Sequence, residues 1–277
     1  MRLSMNMIKA PENAIDVVGT GGDGSHTFNI STASAFVAAA CGAKVAKHGN
    51  KGVSSLSGAS DVLSALGVNI NAAFPMIEKC INEFGLGYMA AVKHHPAMRH
   101  VAPVRQALGV RTIFNMVGPL SNPAGAKRQL IGVYDQSLLE PMALTLKELG
   151  SLRAWLVHGS DHIDEITISG ATQVVALEKG EITQFSISPE DFGIKSQPLS
   201  SIRGGSPEVN ARAMEAIFTG EDNAYADTVA LNAGACLTVA EVVPDMQEGV
   251  KRAQQALKDG SAARVLQQLR SATNQDV

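Results

Sequence analysis

The stretch IDVVGTGGDG, residues 15–24, together with ISTASAFVAAAC, residues 30–41, decides the fold class of this chain. The mostly apolar run Ile15 to Val18 predicts a short buried strand, and the glycines that follow predict a tight turn. The Ala-rich run from Ser31 to Cys41 predicts a helix, whose N-cap oxygen is expected from Asn29 or Ser31. Strand, turn and helix in this order are typical of parallel βαβ units.

The same alternation continues outward from this unit. Lys44–Lys47 predicts a second strand and Ala59–Leu66 a helix that Gly67 ends. The remaining predicted elements are helices near 97–108 and 138–149, strands near 129–133 and 153–158, an edge meander or hairpins over 165–188, and helices over 207–218, 224–240 and 248–270. The predicted class is α/β, with a central, mostly parallel sheet flanked by helices.

The composition excludes several classes of protein. The chain has 277 residues, a net charge of −3, 45% hydrophobic residues and 4% aromatic residues, so it is neither disordered nor a general nucleic-acid binder. No apolar run approaches the ~20 residues of a membrane-spanning helix, and MRLSMNMIKAPEN at the start does not resemble a signal peptide. Three widely spaced cysteines, Cys41, Cys80 and Cys236, indicate reduced thiols and a cytoplasmic location.

The glycine-rich turn GTGGDG, residues 19–24, matches G-x-G-x-x-G, which alone is a weak motif. A dinucleotide site needs an acidic residue at the end of the second strand, and this chain has Lys47-His48 there, so we reject that interpretation. A P-loop motif is also absent. Glycines let backbone N–H groups converge on anionic oxygens, and Asn29, Ser31 and Thr32 add donors near a helix N-terminus. The turn therefore predicts a phosphate or diphosphate cradle, against the plainer alternative of a tight turn.

Charged residues lie at the end of the second predicted strand and after the strand predicted near 153–158. Lys47 and Lys51, with nearby serine hydroxyls, suit a second set of phosphate oxygens. The adjacent carboxylates Asp164 and Glu165 suit Mg²⁺, which binds one or two carboxylates together with substrate phosphate. His158 and His162 could suggest zinc, but Gly-Ser between them indicates a loop and disfavours that interpretation.

A third basic region lies between residues 93 and 120. The segment KHHPAM, residues 93–98, precedes a predicted helix that carries Arg99 and Arg105. An arginine in a partly apolar crevice could bind a carboxylate through both of its terminal nitrogens. A solvent-facing helix charge is the plainer interpretation of Arg105 when that residue is taken alone.

Six motifs in order carry a resemblance to a known family. They are GTGGD (19–23), NIST (29–32), KHGN (47–50), HHPAM (94–98), RTIFNMVGPLSNPA (111–124) and DE (164–165). In order and spacing they resemble the anthranilate phosphoribosyltransferases, which join anthranilate to the ribose of phosphoribosyl pyrophosphate (PRPP) in tryptophan biosynthesis. Only GTGGD and KHGN are partly shared with the related pyrimidine nucleoside phosphorylases.

The resemblance implies a role for each matching residue. PRPP would be bound by Gly19, Gly21, Gly22, Asp23, Thr27, Asn29, Ser31, Thr32, Lys47 and Ser55. Anthranilate would be bound by Gly19, His48, Asn50, His95, Arg105 and Gly118. Mg²⁺ would be held by Ser31, Asp164 and Glu165. Lys47 and Arg105 would be the catalytic residues, and Arg105 would pair with the carboxylate of anthranilate.

The resemblance also implies a domain division and an assembly. Family members combine a small helical domain with a larger α/β domain and are usually homodimers. Residues 1–15 are expected to be a remnant of the N-terminal helical domain, and residues 16–277 the phosphoribosyltransferase domain. Two departures from the family pattern stand beside the motifs, Lys51 where arginine is usual and His162-Ile163 where Gly-Leu is usual.

Two other functions remain open at this level. One is a pyrimidine nucleoside phosphorylase, which would use inorganic phosphate. The other is a PRPP- or nucleotide-binding protein without catalytic activity. Products formed from PRPP and anthranilate, or from phosphate and thymidine, distinguish the first alternative. Thermal stabilisation by ligand without turnover would identify the second.

Overall fold

The computed structural model describes residues 1–52, 56–101, 104 and 112–275. Seven strands form one sheet in the order β3-β2-β1-β4-β5-β6-β7. Their bounds are β1 Ile15–Gly19, β2 Val45–Gly49, β3 Leu86–Ala90, β4 Arg128–Gly132, β5 Arg153–Gly159, β6 Thr172–Glu178 and β7 Glu181–Ile187. Strands β1 to β5 pair in parallel, whereas β6 and β7 form an antiparallel hairpin at the edge.

Helices cover both faces of this sheet, as parallel strands require. Their bounds are α1 Ile30–Ala40, α2 Ala59–Ala65, α3 Phe74–Phe84, α4 Ala91–His94, α5 Ile113–Val117, α6 Leu139–Glu148, α7 Pro207–Phe218, α8 Ala224–Val239, α9 Met246–Lys258 and α10 Ser261–Thr273. Short 3₁₀ turns lie at Arg2–Ser4, Pro96–His100, Gln136–Leu138, Pro189–Phe192 and Leu199–Ile202.

The main core lies between the sheet and the helices α1, α8 and α9. Nearly every residue of α8 is buried, because its sequence is apolar or small on all sides. Small residues also let α8 and α9 approach closely. A Cβ on Gly234 would lie 2.7 Å from Cγ2 of Val250, and a Cβ on Gly249 would lie 2.6 Å from the Gly234 carbonyl oxygen. The C-terminal helices therefore form part of the scaffold beneath the sheet.

The α/β class and the mostly parallel sheet are confirmed, and so is the hairpin at the sheet edge. Two boundaries are wrong. Strand β2 continues through His48 to Gly49, and the helix predicted over 248–270 is two helices separated by Gly260, whose φ is +73°. The prediction did not include α3 and β3. Helix α3 buries Ile77, Cys80 and Ile81 at the spacing of an amphipathic helix, and β3 is a short run that is buried throughout, so both patterns were present in the sequence and were overlooked.

The predicted helix near 97–108 is a 3₁₀ turn over Pro96–His100, and the rest of it lies mostly outside the described residues. Residues 1–14 contain one 3₁₀ turn, Arg2–Ser4, so the division into a helical remnant and a transferase domain stays a prediction. All three cysteines are free. Within the described part of the chain, no helix combines the length and the apolar character that crossing a membrane demands.

Candidate active site

The carboxyl ends of β1, β4 and β5 meet around one carboxylate. The Gly21 N–H donates to Oδ2 of Asp164 at 2.6 Å, although the two residues are far apart in sequence. A Cβ on Gly19 would lie 2.4 Å from that oxygen, and a Cβ on Gly132 would lie 1.5 Å from the Asp164 carbonyl oxygen. Only glycine allows this approach, since any side chain would displace the acidic residue.

The glycine-rich turn adopts a conformation that most side chains disfavour. Gly21, Gly22 and Gly24 have φ values of +67°, +78° and +77°. Thr20 fastens the start of the turn to β4, because its N–H donates to the Gly132 carbonyl at 2.9 Å. The turn is therefore a preformed backbone feature whose N–H groups lie beside Asp164.

The second carboxylate, Glu165, lies at the first turn of α1. Its Oε1 accepts from the Ser31 N–H at 3.1 Å and also from the Ser31 hydroxyl. Desolvation raises the pKa of Glu165 to about 7, although the Ser31 hydrogen bond and the charge of Lys47 lower it. The helix N-terminus and the acidic pair thus face the same space.

The chemistry of this donor set fits Mg²⁺. Desolvation raises the pKa of Asp164 well above its usual range, and the neighbouring carboxylates of Asp23 and Glu165 raise it further. Acidic groups this close and this buried favour a divalent cation between them. Among the described residues no three His, Cys, Asp or Glu side chains could hold a metal ion by themselves. A hydroxyl, two carboxylates and substrate phosphate suit magnesium better than a cage made only of protein ligands.

Lys47, predicted as the last residue of the second strand, is buried within β2, which continues for two more residues to Gly49. Its Nζ donates to the Val17 carbonyl of β1 at 2.5 Å. Burial lowers the pKa of Lys47, while the charges of Asp16 and Glu165 raise it. Asp16 is itself fully buried and accepts from the His48 N–H at 3.0 Å, and desolvation raises its pKa to about 6. Lys47 therefore lies in a charged group beside the acidic pair.

Asn29 occupies the N-cap position of α1, but the predicted capping bond is wrong, because neither Asn29 nor Ser31 caps the helix through its side chain. The Asn29 amide instead joins two other segments. Its Nδ2 donates to the Ser57 carbonyl at 3.0 Å, and its Oδ1 accepts from Nδ2 of Asn210 at 2.9 Å. This amide is held in one orientation by partners the sequence did not reveal.

Histidines form a separate group on the other side of β2. The rings of His48 and His95 meet edge to face with centroids 4.9 Å apart, and both side chains are buried. Burial lowers the pKa of His48 to about 3, with the neighbouring histidines and Lys47 acting in the same direction. His94 stacks on Phe74 at 4.6 Å, and its Nδ1 lies 2.7 Å from the Asn6 carbonyl oxygen. The group is therefore uncharged at neutral pH.

The other predicted site residues are placed as follows. Thr32 is buried in α1, Thr27 bridges to Arg203, Asn50 is exposed just after β2, and Gly118 lies at the end of α5. Ser55 and Arg105 lie outside the described residues, so their predicted roles stay predictions.

The sequence analysis missed three polar residues around the site. Asp16, Asn210 and Asn232 are all almost fully buried. The sequence feature that indicates such residues is a charged or amide side chain inside an otherwise apolar stretch, as in VALNAGAC, residues 229–236. Such a residue is more often a satisfied core polar group than a functional one, so the signal alone was weak.

Comparisons with known proteins identify the family of this chain. The chain matches the family described as "Glycosyl transferase family, a/b domain" over residues 11–263. It is 52% identical to the anthranilate phosphoribosyltransferase of Rhodopseudomonas palustris (strain BisA53), over 99% of this chain and 81% of that protein. A relative of the same name in Methylocella silvestris is also 52% identical, over 78% of its length. This chain belongs to the anthranilate phosphoribosyltransferase family.

Solved structures of this family have the same fold. The crystal structure of anthranilate phosphoribosyltransferase from Thermus thermophilus superposes with a TM-score of 0.94 at 42% identity, over 99% of this chain and 82% of that one. The Saccharomyces cerevisiae enzyme in complex with PRPP and Mg gives a TM-score of 0.88 at 28% identity, over 98% of this chain and 77% of that one. The resemblance identified from the six motifs is confirmed.

Proposed function

We propose that this protein transfers the 5-phosphoribosyl group from PRPP to anthranilate, giving N-(5-phosphoribosyl)anthranilate and pyrophosphate in tryptophan biosynthesis. One observation carries the proposal within this family. The carboxylate of Asp164 is bonded to the Gly21 N–H, and that of Glu165 is bonded to Ser31 near Lys47. A turn of amides, a helix N-terminus, a lysine and two acids therefore border one space.

The diphosphate of PRPP fits this space best. Backbone amides of the glycine-rich turn and the N-terminus of α1 attract anionic oxygens. We assign PRPP binding to Gly19, Gly21, Gly22, Asp23, Thr27, Asn29, Ser31, Thr32 and Lys47, and to Ser55 beyond the described residues. The relative from Saccharomyces cerevisiae was solved with PRPP and Mg, which supports the same ligands here.

The reaction breaks the bond from the anomeric carbon to pyrophosphate, whose oxygen keeps the bonding pair, and forms a bond from that carbon to the amine nitrogen, which then releases one proton to pyrophosphate or to water. Negative charge collects on the leaving group, while the ribose gains oxocarbenium character. Mg²⁺, held by Ser31, Asp164 and Glu165, would supply charge neutralisation of the pyrophosphate. Lys47 and the amides of the turn are fixed before the reaction, so they stabilise that charge without reorganising.

The aromatic amine of the acceptor fits the side of the site where the histidines are uncharged. An aryl amine is neutral at pH 7 and carries a free lone pair, so it needs no strong general base. We assign this side to Gly19, His48, Asn50, His95 and Gly118, with Arg105, beyond the described residues, as the partner of the acceptor carboxylate. Another Saccharomyces cerevisiae structure contains 4-fluoroanthranilate, which supports an aromatic acceptor. Positioning supplies much of the rate when no proton must be removed first.

The test is the decrease in anthranilate fluorescence after PRPP and Mg²⁺ are added to the purified chain. Turnover that requires both additions supports the proposal. Activity with phosphate and thymidine instead would favour a nucleoside phosphorylase. Thermal stabilisation by PRPP without product would favour a binding protein.

Three further assignments accompany the proposed function. We propose a cytoplasmic location, in keeping with three free cysteines. We propose the homodimer that the resemblance implies, which a solution mass measurement tests. The small molecules PRPP and anthranilate are the proposed partners.

A further inference from the structure

The segment that presents the two acids, here called the acidic loop, comprises residues 160–169 between β5 and β6. Both Ile163 and Ile166 of this loop are buried, so the acids lie next to anchored apolar residues. Directly behind the loop runs α8, which is apolar or small along most of its length. Asn232 lies near the middle of that helix and is fully buried.

The Asn232 amide binds the acidic loop through both of its ends. Its Oδ1 accepts from the Ile166 N–H at 3.0 Å, and its Nδ2 donates to the Ile166 carbonyl at 2.9 Å. The same Nδ2 also donates to the Thr228 carbonyl at 2.9 Å, one turn earlier in α8. A single side chain thus holds both backbone polar groups of the residue that directly follows Glu165.

Hydrophobic packing of α8 does not require an amide at position 232. A buried amide costs free energy unless its hydrogen bonds are made, and an apolar side chain would suit the surrounding helix. The donor and the acceptor of an amide can both be satisfied by one residue's backbone, and the chain uses that match at Ile166. The bond pair fixes the direction of the loop backbone as well as its distance from α8.

The hydrogen bonds of Asn232 to Ile166 act on the acidic pair through the single peptide bond that joins Ile166 to Glu165. The Glu165 carboxylate meets the N–H of Ser31 on α1, and Asp164 meets the N–H of Gly21. Both hydrogen bonds require the backbone of the acidic loop to keep its position relative to α1 and to the glycine-rich turn. Asp161 ties the loop to itself, because its Oδ2 accepts from the hydroxyls of Thr167 at 2.6 Å and Ser169 at 2.5 Å. Those bonds shape the loop but do not link it to α8.

We propose that Asn232 is a positioning residue, which holds the acidic loop so that Asp164 and Glu165 present a ready-made divalent-cation site to PRPP. The proposal rests on the function proposed above. It adds that the affinity for Mg²⁺ depends on an amide buried in a neighbouring helix and not only on the oxygens that meet the ion. Partners that orient metal ligands in this way typically change metal affinity or activity by about 10–100-fold.

The test compares Asn232→Leu with Thr238→Val. Leucine has the same branched side-chain skeleton and removes both bonds to Ile166. Thr238 is a matched control, because it is buried in the same helix and its hydroxyl donates only to the Gly234 carbonyl within that helix. Three quantities are measured for each variant and for the wild type. They are the Mg²⁺ concentration at half-maximal turnover, the Mg²⁺ dependence of PRPP binding by calorimetry, and hydrogen exchange of the Ile166 amide.

We expect Asn232→Leu to raise the half-saturating Mg²⁺ concentration on the order of tenfold, in turnover and in PRPP binding alike. Hydrogen exchange of the Ile166 amide should become faster in Asn232→Leu. Thr238→Val should change neither the Mg²⁺ dependence nor the exchange rate. Equal shifts in both variants would mean that Asn232 is only structural and would overturn the proposal. An unchanged Mg²⁺ dependence in a folded Asn232→Leu protein would also overturn it.

Asn232→Asp provides the same test if the leucine variant does not fold. Aspartate keeps the shape and the acceptor for the Ile166 N–H but loses the donor to the Ile166 carbonyl, so a shift in the same direction is expected and none would contradict the proposal. A failure of the proposed function can be distinguished from a failure of the role proposed for Asn232. A wild type without turnover would refute that function, whereas PRPP binding and amide exchange would still decide the role of Asn232.

Discussion

The two sides of the site differ in charge and in how their polar atoms are satisfied. The phosphate side consists of the 19–24 turn, Ser31, Lys47, Asp164 and Glu165, and its acids accept hydrogen bonds from backbone amides. The histidine side consists of His48, His94 and His95, and Nε2 of His48 is buried without a hydrogen-bond partner among the described residues. The difference teaches that buried charges are concentrated on the side proposed for pyrophosphate, while the side proposed for the amine presents uncharged histidines.

Burial produces both environments, but with opposite results. On the phosphate side, desolvation raises the pKa values of the acids and makes a cation favourable there. On the histidine side, desolvation lowers the pKa of His48 and removes its charge. Burial thus favours a cation beside Asp164 and Glu165 and a neutral ring at His48.

The largest effect is expected when the phosphate side loses an acid. Asp164→Asn should lower kcat/KM for PRPP by about 10²–10³-fold, the usual result of removing one preorganised electrostatic group. Anthranilate fluorescence measures the rate. Asp259→Asn is the control, since Asp259 also accepts a hydrogen bond from a backbone N–H, that of Ser261, but lies between α9 and α10. Near-normal activity of Asp164→Asn would remove the distinction between the two sides.

A smaller effect is expected when the acid is displaced rather than removed. Gly19→Ala places a Cβ where Oδ2 of Asp164 would be 2.4 Å away, so the carboxylate must move. A misplacement of about 1 Å can lower the rate by about 10²-fold. At Gly118 an added Cβ meets nothing nearer than the Phe114 carbonyl oxygen at 3.7 Å. Because Gly118 is assigned to the acceptor side, the comparison uses kcat/KM for PRPP at saturating anthranilate, which should fall much more for Gly19→Ala; equal losses in that constant would contradict the geometry.

The histidine side should show a weaker effect confined to the acceptor. His48→Phe keeps an aromatic ring against His95 but removes the polar nitrogens. We expect the KM for anthranilate to rise about threefold to tenfold, the value of one hydrogen bond, with little change in the KM for PRPP. Initial rates with each substrate varied in turn measure both constants. A rise in the KM for PRPP alone would place His48 on the phosphate side.

The smallest effect concerns stability and pH. The pKa of His48 is about 3 in the folded protein and about 6.5 in an unfolded chain, so folding disfavours its protonated form. The contribution of uncharged His48 to the free energy of unfolding is complete above pH 6.5 and is lost as the pH falls from 6.5 toward 3. Urea unfolding at pH 7.5 and pH 5.5 should show a steeper loss for the wild type than for His48→Gln. Parallel losses would mean that His48 is charged in the folded state.

Much of the phosphate side could be predicted from local sequence. The glycines of residues 19–24 impose a turn wherever they occur, and the paired acids Asp164-Glu165 carry their chemistry with them. Lys47 was identified for its charge within an apolar stretch, but its burial in β2 was not foreseen. The capping role of Asn29 was wrong because Asn210, distant in sequence, competes for the same amide.

The sequence by itself determined which residues could bind phosphate and metal, because glycine conformations, carboxylate charges and strand–helix order are local properties. Only the tertiary structure decided which of them meet. The bonds Gly21–Asp164, Ser31–Glu165 and Asn232–Ile166 join segments separated by 143, 134 and 66 positions. The parallel order of β1, β4 and β5 brings those segments to one edge, and burial there sets the charge of each group.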